Sequence, residues 1–127
     1  MKGYIWLRIA GIYLIIGMLL GIYMDIKLNF QMSTIHAHIN LLGFSTLAIS
    51  GLIYCVFPKA AKSRLGVGHF WLHNIGLPVM IIGLYVEISG LAKLPLIRIG
   101  GSMALLSIIL LVINLFVNVN EATKNGR

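Results

Sequence analysis

The chain has 127 residues, 59% of them apolar and only 10% charged, with a mean hydropathy of +0.96, a balance that excludes an ordinary soluble domain. The formal net charge of +7 would suit a nucleic-acid partner, but the basic residues flank long apolar runs, so their placement speaks for membrane topology and no nucleic acid is expected. Cys55 is the single cysteine, which excludes an internal disulfide.

A hydrocarbon core of about 30 Å takes roughly 20 helical residues to cross, and residues 5–23, 35–57, 69–88 and 96–117 each meet that length. Backbone in lipid must bond to itself, so these runs are expected as helices: an all-α, polytopic bundle of four antiparallel transmembrane helices, one domain over residues 1–127. Lys2 and Arg8 before the first apolar run give it the look of a secretory signal. No A-x-A-like cleavage site follows and three more runs do, so a retained helix is expected. Between the helices, 25–33 reads as a polar link, 58–68 as a basic loop, and 89–95 as a turn bounded by Gly90 and Pro95.

With four spans, Lys2, Arg8, Lys59, Lys62, Arg64, Lys124 and Arg127 fall on one side, and Lys27, Lys93 and Arg98 on the other with Asp25 and Glu87. The positive-inside rule then predicts cytoplasmic termini and a multi-pass protein of the inner (cytoplasmic) membrane. Small residues recur at helical spacing, as in Gly17 and Gly21, Gly76 and Gly83, and Gly100 and Ala104, where they permit close helix approach. On the fourth helix Gly100, Ala104, Ser107, Leu111, Asn114 and Asn118 form one stripe that is expected to face protein. Pro78 removes the helical donor for the Asn74 carbonyl, so a kink is expected there, with Asn74 and His73 serving its polar needs.

The histidines carry the chemistry. All four lie in or at the ends of predicted spans, where an ionisable side chain is costly and therefore a candidate site. His36 and His38 are separated by roughly 200° around a helix, too far apart to share one metal but suited to give one imidazole to each of two sites. Asn40 lies one turn after His36. His69 and His73 are four apart and share a face with Gly76, Met80 and Gly83, a spacing compatible with metal ligation but pointing first to supporting or structural hydrogen bonding. No carboxylate occupies a span centre, which argues against a proton pump, and the methionines form no spaced copper-binding series.

His36-Ala37-His38, followed 19 residues after His38 by Phe57-Pro58, and then His69-Phe70-Trp71-Leu72 with Gly76, resemble the tenth and eleventh helices of the catalytic subunit of the haem-copper oxidase superfamily, which includes the nitric oxide reductases. The resemblance covers about residues 35–90. It implies that His36 and His38 are axial ligands of haem iron, one on each side of their helix, and that His69, with His73 and Asn40, lies at most in a supporting position near the propionates. With no C-x-x-C-H motif, the haem is expected to be haem b, held without a covalent bond. The chain lacks the family's adjacent histidine pair, its other low-spin ligand and its paired arginines, so copper is possible but not favoured. The family's helices form three arcs about a pseudo-threefold axis, each arc about the size of this chain, so the resemblance implies a homotrimer, with His36 of one protomer and His38 of the next on one haem. Electron transfer with a redox partner protein, or handling of O2 or NO, is the expected function. The alternatives are a haem-dependent oxidoreductase acting with a partner, with copies of His69 or His73 gathering a metal at a trimer axis, and a non-haem assembly or metal-accessory protein.

Overall fold

A computed structural model describes residues 2–124; Arg127, counted above among the charges at one end, lies outside the described residues. The described chain is all-helical, and four of its helices are long and apolar enough to cross a membrane, as a membrane protein requires. They are α1 (Gly3–Lys27), α2 (Ser33–Val56), α4 (Arg64–Ile88) and α5 (Leu96–Asn118), and the short helix α3 (Pro58–Lys62) joins α2 to α4. Of the expected stripe on the last span, Gly100, Ala104, Ser107, Leu111 and Asn114 are buried, and Asn118 is half-buried with its amide donating to Asn114 Oδ1 at 2.7 Å.

Three features differ from the sequence reading. Residues 58–68 are not a loop. Pro58 occupies the first turn of α3, where its missing N–H costs nothing, and the Ser63 side chain accepts from the Gly66 amide at 3.0 Å to cap α4. α4 therefore starts at Arg64, and His69 lies more than a turn inside it. The second span is also not one uniform helix. Ser33–His38 and Thr46–Val56 are α-helical, but Ile39–Ser45 between them is a π-helix, in which amides reach back five residues. The Thr46 amide and hydroxyl both donate to the Leu41 carbonyl, the hydroxyl at 2.8 Å.

At Pro78, α4 continues unbroken from Arg64 to Ile88. The Asn74 amide donates to the Phe70 carbonyl at 2.9 Å, one turn back, and His73 bonds to other helices, so neither serves the Asn74 carbonyl as expected. α1 ends with Leu28 in the left-handed region (φ 49°), and the turn after α4 uses Gly90 at φ 67°, where the Leu91 amide returns to the Val86 carbonyl at 3.1 Å.

α4 and α5 approach most closely through glycine. A methyl group on Gly100 would come within 2.6 Å of the Gly76 carbonyl oxygen and 2.8 Å of the Met80 Cα, whereas one on Gly101 would meet only Met80 Sδ at 3.6 Å. Gly83 similarly faces Leu96 and Ile97. Helices in lipid have little hydrophobic drive to associate, so this close backbone contact is a main source of their attraction. Gly100→Ala should therefore destabilise the bundle by about 1–3 kcal/mol, the usual cost of overpacking, while Gly101→Ala should be nearly neutral. Unfolding in detergent with increasing SDS checks this, and equal losses for the two variants would contradict it.

Candidate functional site

The structure sorts the four histidines into two pairs with different surroundings. His36 and His38, both half-buried, lie in the first turns of α2. Gly17 and Gly21 leave a groove on α1 in which the His36 ring lies, and a methyl group on Gly21 would meet its Cε1 at 2.9 Å. His36 Nδ1 is 2.8 Å from the Gly17 carbonyl oxygen, and His38 Nδ1 is 2.7 Å from the Thr34 carbonyl oxygen one turn back. A carbonyl only accepts, so each ring carries a proton on Nδ1, and in the neutral ring Nε2 is then the nitrogen with a free lone pair. The two rings are held by different elements, one by α1 and one by α2 itself.

Asn40 joins the His36 side of this arrangement. Its amide donates to the His36 carbonyl at 3.1 Å and approaches His36 Nε2 at 3.4 Å, and its side chain fills the space beside Gly17. The glycines that the sequence reading assigned to helix packing thus accommodate His36 and Asn40.

His69 and His73 are fully buried, with no exposed surface. His73 Nε2 donates to the Leu42 carbonyl of the π segment at 2.8 Å, and its Nδ1 is 3.1 Å from Ser107 Oγ on α5. One ring therefore bridges three spans. His69 Nδ1 is 2.9 Å from the Tyr54 hydroxyl, which also lies 3.3 Å from the Asn114 amide nitrogen. Because that amide can only donate, the Tyr54 oxygen accepts from Asn114 while its hydroxyl is also bonded to His69 Nδ1. Asn114 also donates to the Ala60 carbonyl at 3.0 Å and lies 3.0 Å from Ser63 Oγ. Trp6 covers the His69 ring at a centroid separation of 4.5 Å and contacts Tyr54 and Phe70. Trp6 Nε1, Ser50 Oγ and His69 Nε2 have no hydrogen-bond partner among the described residues.

His69 stacks on Trp6 while His36 lies over Gly21, positions 15 residues apart on α1, or about 22 Å along the helix. His69 and His73 are buried and bonded inside the protomer. Among the described residues no group of three or more His, Cys, Asp or Glu side chains converges as a metal site. The sequence reading missed Tyr54, Trp6 and Ser63. Ser50 and Tyr54, one turn apart in an apolar run, were a signal for a polar face on α2.

The Tyr54 and His69 bond is open to a direct test. Tyr54→Phe should cost about 1–3 kcal/mol by leaving buried polar groups unpaired, and the double variant with His69→Phe should cost less than the sum of the two single changes. Additive losses in unfolding measurements would show that the two rings are not coupled. No protein-family model, curated protein or solved structure matches the chain.

Proposed function

We propose that this protein is a haem b-binding cytochrome of the inner membrane, with its four spans in antiparallel order and both termini cytoplasmic. In this reading it is a homotrimer, and His36 of one protomer and His38 of the next hold each haem without a covalent bond. The observation that carries the proposal is the fixed tautomer of both imidazoles, since hydrogen bonds from Nδ1 to the carbonyls of Gly17 and Thr34 leave Nε2 as the free, oriented donor that an iron ligand needs. The donor set fits an axial pair. A second carbonyl or carboxylate partner on Nε2 would have argued against it, and the Nε2 of His36 meets only the long approach of Asn40 at 3.4 Å.

The inside-out assignment rests on charge: Lys2 and Lys62 share one end of the bundle, whereas Glu87, Lys93 and Arg98 share another hollow. The H-x-H spacing adds the resemblance to the oxidase superfamily.

Haem b would supply reversible one-electron transfer. The chain's own part is to orient two imidazoles, with the Gly17 and Thr34 carbonyls preventing ring rotation and raising ligand basicity. Two protein ligands leave no iron position for a gas, so the reading favours electron exchange with a redox partner protein over catalysis on O2 or NO.

The purified protein should show a sharp reduced α-band in its visible spectrum and a trimeric mass in native mass spectrometry. His36→Ala and His38→Ala should each remove the six-coordinate spectrum. A wild type that stays colourless after haem is supplied would end the haem reading, and a monomer carrying one haem per chain would end the shared-site arrangement.

A further inference from the structure

At the end of the bundle that carries the start of α1, a hollow of about 300 Å³ is lined by Lys2, Gly3, Tyr4, Tyr54, Cys55, Pro58, Ala61 and Lys62. Its chemistry is divided. Two lysines supply positive charge, whereas Gly3, Cys55, Pro58, Ala61 and the tyrosine rings supply apolar wall. The first turn of α1, which has no side-chain cap, forms part of that wall, so its partial positive charge adds to that of the lysines. No acidic residue lines the hollow. It lies where the apolar spans give way to the basic residues of α3, the level at which a bilayer presents its headgroups.

We propose that this hollow binds one anionic phospholipid, its phosphate held between Lys2 and Lys62 and the beginning of its acyl chains laid against Pro58, Ala61 and Cys55. A soluble anion would gain nothing from the apolar wall, and a zwitterionic lipid, whose headgroup cation offsets its phosphate, would gain less from the lysines. The combination selects a ligand with both parts. Tyr54 makes the site consequential, because the residue lining the hollow also carries the hydroxyl bonded to His69 at 2.9 Å. Occupancy therefore stabilises the seam between α2, α4 and α5 from its end. The inference rests on the membrane reading alone and is independent of the haem.

Cys55 provides the probe, because the chain's single cysteine lies in the hollow's wall. The full-length protein is reconstituted into phosphatidylcholine bilayers with or without phosphatidylglycerol, and the rate of Cys55 labelling by an uncharged maleimide is followed. Phosphatidylglycerol should slow labelling several-fold, and Lys2→Gln with Lys62→Gln should weaken its effect by roughly 30-fold in lipid concentration, given the usual contribution of each basic residue near an anionic surface. Loss of positive charge by itself would make the thiol less reactive, so faster labelling of the double variant in anionic bilayers cannot arise from charge alone. Equal rates for wild type in the two bilayers, or protection that survives the double substitution, would overturn the proposal. Equal protection by inorganic phosphate in phosphatidylcholine bilayers would also overturn it, by identifying a free-anion site. Native mass spectrometry gives an independent readout: one phosphatidylglycerol retained per wild-type chain and lost from the double variant is expected, and retention by both would contradict it.

Discussion

A polar side chain buried in a membrane protein has no water to fall back on, and the rest of this fold depends on how that constraint is met between α2, α4 and α5. Asn114 reaches the Ala60 carbonyl and the Tyr54 hydroxyl, Tyr54 reaches His69, and His73 reaches both the Leu42 carbonyl and Ser107. Each bond is directional, so together they fix the rotation and depth of three helices relative to one another. Apolar contacts in lipid are less discriminating, because acyl chains compete with side chains on nearly equal terms. Glycine contacts bring α4 and α5 together, and the polar seam selects the register in which they meet.

The division between the two histidine pairs follows from the same constraint. His73 has both ring nitrogens bonded to other spans and His69 has Nδ1 bonded to Tyr54, and both rings are fully enclosed, as befits groups that hold helices together. His36 and His38 have only Nδ1 committed to backbone and are half-exposed. A free ring nitrogen at the protein surface within a span is costly unless something binds it. This difference in exposure, more than the spacing of the residues, separates a candidate ligand pair from a structural pair.

Much of the fold was legible in the sequence because its signal is long: twenty or so apolar residues identify a span whatever its neighbours. The buried stripe from Gly100 to Asn114 was legible for a similar reason, since it repeats at the helical period. The errors came where one short-range bond decides the outcome. Ser63 capping Gly66 turned an expected loop into the start of α4, and the Asn74 amide chose the Phe70 carbonyl over the position opened by Pro78. In the candidate site, the opposed directions of His36 and His38 follow from helix periodicity, but their hydrogen-bond partners do not. Gly17 is 19 residues from His36, and nothing local announces that its carbonyl will meet an imidazole. Tyr54 was passed over as one more apolar aromatic, although its hydroxyl connects α2 to α4.

The π-helix of Ile39–Ser45 lies between His38 and Tyr54 on one span. A π segment accommodates an extra residue without breaking the helix, and one residue corresponds to about 100° of rotation. α2 therefore behaves as two helices on a common axis, with the angle between them set by this insertion. The half after the π segment can satisfy the geometry demanded by His69 and Asn114 while the half before it aims His36 at α1. A uniform α-helix of the same composition would have to sacrifice one alignment to keep the other. The π segment acts as a phase adjuster, setting the orientation of the histidine-bearing half of α2 independently of the half that bonds to α4 and α5.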